Sequence, residues 1–182
     1  MKFPITSKFN AAESFRESKH TGIDLAMEKG TEIYSINDGV VSKTVDYGAE
    51  NIGKGVFVEW EDGKTAIYGH LDKILVKEGD IVEAGNLIGL SGNTGNTVGI
   101  NGGFHLHFGL KDTTGQFINP EPYNDLLQNM SQLNETVNDF TRLDPSTMLE
   151  SALQGLWELK INLISLLLDV HTTLLTLYTT FL

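Results

Sequence analysis

Apolar positions follow two different rhythms along the chain. Up to about residue 118 they come in short β-branched and aromatic runs: Val40-Val41, Val56-Phe57-Val58 with Trp60, and Thr65-Ala66-Ile67-Tyr68. Runs of this kind bounded by turn residues predict strands. The boundaries are Asn37-Asp38-Gly39, Glu78-Gly79-Asp80 and Ser91-Gly92-Asn93-Thr94-Gly95-Asn96, which combine turn formers that act by different physical means. Asp62-Gly63 separates two of the runs and predicts a β-hairpin there. No helical period competes, so residues 1–118 are predicted to form a mainly β domain, an antiparallel sheet or sandwich.

From residue 119 to 182 the rhythm changes. Tyr123, Leu126, Met130, Leu133, Val137 and Phe140 recur at alternating spacings of three and four, the mark of a helix with one apolar face. Asp144-Pro145 interrupts this series and suits the start of a second helix, with Asp as cap and Pro in the first turn. The second series runs Leu149, Leu153, Leu156, Lys160, Leu163, Leu167, Val170, Leu174, Leu177, Phe181. Only Lys160 is polar, and the spacing resembles a heptad seam. The expectation is a C-terminal helical hairpin or coiled-coil segment over 119–182. It would pack on copies of itself, giving a homo-oligomer, or fold back on the helix at 122–143. Membrane contact is the less favoured reading. Residues 161–182 hold 12 Leu, Ile, Val or Phe, contributing at most about −4 to −7 kcal/mol to insertion. Asp169, near the centre, offsets about 2.5–3.5 kcal/mol of that.

Composition narrows the chemistry. Of 19 glycines, 18 lie at or before Gly115, which matches the division into a turn-rich and a helical part. Cysteine is absent, so any metal must be held by His, Asp or Glu. The formal net charge of −11 disfavours non-specific nucleic-acid binding, which needs a basic footprint. The N-terminus lacks an apolar run long enough for a signal peptide. The glycine-rich segments carry no Gly-Lys-Ser/Thr ending, so a phosphate loop is excluded; they suit turns bordering an open groove for an extended peptide.

Four of the five histidines stand in one arrangement: His20-Thr-Gly-Ile-Asp24, Tyr68-Gly69-His70-Leu71, and Phe104-His105-Leu106-His107-Phe108. On a strand, residues two apart share a face, so His105 and His107 point into one space. His20 and Asp24, four apart, share a face on either a strand or a helix, and Gly22 permits an unusual backbone between them. A catalytic zinc ion takes three protein ligands and keeps one position open. His20, Asp24 and one histidine of the 105/107 pair can supply those ligands. The other histidine and His70 are then available for proton transfer or for steadying a developing oxyanion. His171, in the leucine-rich tail, is given no catalytic role.

These motifs resemble those of the lysostaphin-like zinc metallopeptidases. Lys19-His20-Thr-Gly-Ile-Asp24 is similar to that family's first zinc motif, Tyr68-Gly69-His70-Leu71 to its central histidine motif, and His105-Leu106-His107-Phe108 to its terminal motif. The glycine-marked turns of Val76–Gly89 fit between the last two. The resemblance covers about residues 19–110. It implies a duplicated hybrid motif fold and a Zn2+ ion ligated by His20, Asp24 and His107, with His105 and His70 catalytic. It also implies hydrolysis of the peptides of bacterial peptidoglycan. Two features depart from the family pattern. Asn93–Gly103 is longer than the usual short glycine loop, and Gly109 stands where an acidic residue is common. The short N-terminal lead and the apolar seam suit a bacteriophage lysin. It would act in the virion or at the cell wall after release, with virion proteins as partners of the C-terminal helices. The competing readings are a non-catalytic peptidoglycan-binding module on the same scaffold and a structural virion protein.

Overall fold

A computed structural model describes residues 2–12, 18–97 and 103–133, together with the helical positions 154, 157 and 160. Ten strands make up the β part: β1 (Ile5–Ser7), β2 (Gly22–Ala26), β3 (Glu32–Tyr34), β4 (Gly39–Asp46), β5 (Lys54–Trp60), β6 (Thr65–Gly69), β7 (Leu71–Ile74), β8 (Ile81–Val82), β9 (Leu87–Ser91) and β10 (His105–Lys111). Seven of them form one sheet in the order β1-β2-β10-β6-β5-β4-β8, and the other three form a second sheet, β3-β9-β7. Every pairing between these strands is antiparallel. The mainly β expectation is met. The turn at Glu61–Lys64 joins β5 to β6 as predicted: Gly63 takes φ +79°, and the Asp62 carboxylate accepts the Lys64 N–H.

Alternation builds the core. Ile23 and Leu25 of β2, Val56 and Val58 of β5, Ala66 and Tyr68 of β6, and Leu106, Phe108 and Leu110 of β10 are all fully buried in one cluster. Removing each such aliphatic side chain from water stabilises the fold by about 1.5–3 kcal/mol. Tyr68 carries a polar tip into this layer, and its hydroxyl accepts the N–H of Ile36 at 3.0 Å. Burial pushes that phenol up to about 12, so it stays neutral.

Beyond β10 the chain makes a 3-10 turn at Glu121–Tyr123, the short helix α1 (Asn124–Gln128), and a 3-10 turn at Met130–Gln132. Leu127 and Met130 belong to the β domain's core. The Gln128 side chain accepts the Phe3 N–H at 2.7 Å and donates to the Phe3 carbonyl at 2.7 Å, so this segment closes over the N-terminal strand. The sequence periodicity placed Leu126 on the apolar face; in the structure Leu126 is exposed and Leu127 is buried. Tyr123, Met130 and Leu133 of the same series do pack on the core, so only the position within α1 departs, between 3-10 turns that advance by three residues per turn rather than 3.6.

Two compact units are distinguishable, Met1–Thr136 and Val137–Leu182. Within the second, Gln154, Trp157 and Lys160 are helical and exposed, and the Lys160 ammonium lies 5.8 Å from the Trp157 ring centre. The rest of the predicted hairpin or coiled-coil seam, including His171, lies outside the described residues. Among the described residues no helix is long and apolar enough to cross a membrane.

Gly22 sits in ordinary strand backbone, so the expectation of an unusual conformation there is not met. Space dictates this glycine instead. A Cβ at Gly22 would lie 2.3 Å from the Phe108 carbonyl oxygen and 2.9 Å from the His107 ring. Gly22→Ala is therefore expected to push β2 from β10 and destabilise the domain by about 1–3 kcal/mol, the usual cost of overpacking. Urea unfolding measures this; an unchanged midpoint and slope would contradict the steric account.

Candidate metal centre

The alternation that sends Ile23 and Leu25 into the core turns Asp24 to the opposite face of β2. On β10 the same rule buries Leu106 and Phe108 and turns His105 and His107 outward from the core. The register sets His107 opposite Asp24 on one side and opposite Gly69 on the other. Where β6 ends, the chain turns at His70, which has φ +61° and donates its N–H to the Ile52 carbonyl at 2.8 Å. His20 arrives from a loop clasped by two backbone bonds, Asn10 N–H to His20 C=O at 2.9 Å and His20 N–H to Ala11 C=O at 3.1 Å. All five residues singled out from the sequence thus meet on one face of the larger sheet.

Three of them converge at atomic distance. His20 Nε2 lies 3.0 Å from Asp24 Oδ1, His107 Nδ1 lies 2.9 Å from the same oxygen, and the two nitrogens are 3.0 Å apart. All three side chains are buried. His105 Nε2 stands farther back, 3.7 Å from Asp24 Oδ1. The His70 ring is centred 4.5 Å from that of His105 and 5.8 Å from that of His107.

Main-chain carbonyls orient three of the rings. His20 Nδ1 lies 2.9 Å from the Lys8 carbonyl and 2.9 Å from the Ser7 hydroxyl. His70 Nδ1 lies 2.7 Å from the Thr94 carbonyl, and His105 Nδ1 lies 2.7 Å from the Gly103 carbonyl. A carbonyl only accepts, so each of these Nδ1 atoms carries a proton, and in the neutral form of such a ring Nε2 presents a bare lone pair. None of these outer contacts was foreseen from the sequence. The carbonyls have no residue signature, and Ser7 looks like any other strand-end hydroxyl.

Electrostatics agree with this wiring. Burial acts to raise the Asp24 carboxyl, but the adjoining His107 and His20 rings, together with nearby His105, hold it well below the usual carboxylate range. It is an anion. Burial drives His70 down to about 3, helped by neighbouring His105 and His107 and opposed by its bond to Thr94. Burial also lowers His107, against the pull of Asp24.

The arrangement fits a divalent cation. A neutral His20 with its proton on Nδ1 aims a lone pair at the Asp24 carboxylate from 3.0 Å. Two electron-rich atoms at that distance need a positive charge beside them. Two imidazole nitrogens and one carboxylate oxygen are a donor set that zinc accepts. A tetrahedral ion with bonds of about 2.0–2.1 Å spaces its donors about 3.3 Å apart, so outward shifts of a few tenths of an ångström suffice.

Comparison with known proteins points the same way. The profile of Peptidase family M23 matches residues 18–120. ShyA, a peptidoglycan DD-endopeptidase of Vibrio cholerae serotype O1, is 38% identical over 121 residues, covering 60% of this chain and 26% of ShyA. The chain thus spans about a quarter of that relative's length. The catalytic domain of EnpA, a prophage-encoded M23 protein of Enterococcus faecalis crystallised as a single-residue mutant, superposes with a TM-score of 0.57 at 32% identity. The match covers 66% of this chain and 91% of that one. A zinc-containing peptidase from Vibrio cholerae gives 0.56 at 32% identity, covering 64% of this chain and 36% of its own.

The buried histidines make stability acid-sensitive. His70 titrates near 3 when folded, against 6.5 ordinarily, so between those values the unfolded chain takes up a proton that the folded chain refuses. Stability conferred by this group is full above about pH 6.5 and is lost as pH falls toward 3. His107 acts in the same sense, and Asp24 adds its loss below 3.8. The melting temperature of metal-free protein should fall steadily between about pH 7 and pH 4, and less steeply in His70→Asn. A flat profile in the parent protein would contradict the assignment of neutral buried rings.

Proposed function

Because the chain belongs to peptidase family M23, we propose that it is a zinc-dependent endopeptidase that hydrolyses peptide cross-links or stem peptides of bacterial peptidoglycan. The observation that carries this reading is the convergence of His20 Nε2, Asp24 Oδ1 and His107 Nδ1 within 3.0 Å of one another, flanked by two further histidines. The DD-endopeptidase relative supplies the substrate class.

In this reading His20, Asp24 and His107 hold the zinc ion. When bound, the ion supplies Lewis acidity, lowering the pKa of a ligated water to about 7 and polarising a carbonyl. His105, its Nδ1 proton committed to the Gly103 carbonyl, offers Nε2 as the base. It takes a proton from the attacking water and returns it to the leaving amine. His70 rests neutral, with Nε2 as an acceptor. As negative charge develops on the scissile carbonyl oxygen, His70 takes up a proton from solvent, donates from Nε2 to steady that oxygen, and returns the proton to solvent when product leaves. Strand register sets His107 opposite Asp24 and the Lys8 carbonyl orients His20, so the ligands are preorganised.

The finer role we propose is that of a phage lysin, carried in the virion or released to act at the cell wall. The prophage-encoded M23 relative and the leucine-rich seam support this reading. The stretch after the β domain would then serve assembly, with copies of itself or with virion proteins.

Four outcomes are expected. His105→Ala should retain zinc and lose activity by at least about 100-fold, the lower range for removing an acid–base group; full activity would remove His105 from the mechanism. His107→Ala should lose the metal itself, and undiminished zinc by elemental analysis would refute its ligand role. Purified peptidoglycans with direct and with glycine-bridged cross-links should yield fragments by mass spectrometry only in the absence of a chelator. Light scattering should show oligomers of the full chain that disappear on truncation after Thr136; equal monomers would rule out assembly through the tail.

A further inference from the structure

The turn Ser91–Asn96 lies outside the set of metal and proton-transfer residues, yet its backbone reaches His70. The Thr94 carbonyl receives the His70 Nδ1 proton at 2.7 Å. The same residue's hydroxyl is tied on two sides. It donates to the Leu71 carbonyl at 2.8 Å and accepts the Lys54 N–H at 3.0 Å. Leu71 follows His70 directly, and Lys54 opens the strand beside it. One side chain thus joins three segments, and its own carbonyl is fixed against the ring.

The surrounding backbone leaves this turn little freedom. Gly95 N–H donates to Gly48 C=O at 3.0 Å, Asn96 N–H donates to Asn51 C=O at 2.9 Å, and His70 N–H donates to Ile52 C=O at 2.8 Å. The loops 47–53 and 93–97 are pressed together so closely that a Cβ on Gly53 would lie 2.3 Å from Gly95 N. His70 holds a left-handed backbone at φ +61°, a conformation that costs a non-glycine residue about 1–2 kcal/mol. A strained residue persists only where its surroundings over-determine it, and the Thr94 hydroxyl ties this turn both to Leu71, directly after His70, and to Lys54.

We propose that Thr94 is the positioning residue of His70. Its hydroxyl, through Leu71 and Lys54, holds its carbonyl on Nδ1, fixes the Nδ1–H tautomer and aims Nε2 at the scissile carbonyl. The inference rests on the catalytic reading of His70 given above. It differs from a packing role because valine fills nearly the same space as threonine but can neither donate to Leu71 nor accept from Lys54.

The test uses the full zinc-loaded chain and a soluble cross-linked peptide that the parent protein cleaves. Thr94→Val should retain zinc and its melting transition, keep KM, and lose kcat by about 10–100-fold, as found for residues that orient active-site ligands. Thr94→Ser should recover most of kcat, since it restores the hydroxyl. Long-range 1H–15N NMR of the parent protein should show His70 protonated on Nδ1, with that signal shifted or exchange-broadened in Thr94→Val and restored in Thr94→Ser. An Nε2–H tautomer in the parent protein, an unchanged kcat in the valine variant, or failure of serine to rescue would overturn the proposal. Loss of zinc or of the fold in Thr94→Val would also overturn it, making Thr94 a structural residue. A parent protein with no hydrolytic activity would overturn the catalytic reading and the kinetic half of this proposal with it; the NMR signal judges the tautomer separately.

Discussion

An ionised carboxylate buried beneath imidazoles is the constraint around which this domain is arranged. Asp24 sits in the wall between core and site, with His20 and His107 on one of its oxygens. Burying a charge is costly unless a partner compensates it. The Lys8 carbonyl removes the simplest partner, because it takes the only proton of a neutral His20 and leaves a lone pair facing the carboxylate. A cation bound to all three donors resolves this conflict. In the proposed mechanism the same cation is the group beside which His105 and His70 move protons.

The site's precision comes from strand register and from outer contacts. β2, β10 and β6 are adjacent, so Asp24, His107 and the exit to His70 are delivered by hydrogen-bond ladders rather than by loops. Sites on such elements are held more tightly than sites on loops. Where loops do contribute, backbone carbonyls fix ring orientation: Lys8 for His20, Gly103 for His105 and Thr94 for His70. Each commits Nδ1 outward and turns Nε2 inward. The left-handed backbone at His70 is the local strain that this arrangement sustains.

Much of the site was legible in the sequence because its chemistry demands particular residue types at particular spacings. His105 and His107 two apart on a strand, and Asp24 flanked by apolar Ile23 and Leu25, announce their shared face by alternation alone. The longer strands, β5 and β6, were legible for the same reason. The short strands β1, β3, β7 and β8 were not, since two to four residues carry no periodicity and exist through their partners. Glycine at position 22 permits an unusual backbone, yet its need is for close approach of two strands, a property of the assembled sheet. In the apolar series, Tyr123, Met130 and Leu133 pack on the core as a helical period predicts, while Leu127 rather than Leu126 is buried in α1, which is interrupted by 3-10 turns on both sides. Contacts made by carbonyls, such as that of Thr94, belong to the folded backbone and leave no mark on residue type.

The most direct test of the metal site is zinc K-edge X-ray absorption on the full chain loaded with one equivalent of zinc. The account requires about four nitrogen or oxygen donors at about 2.0–2.1 Å, with the multiple-scattering signature of two imidazoles. A first shell of oxygen atoms alone, with no imidazole scattering, would contradict it.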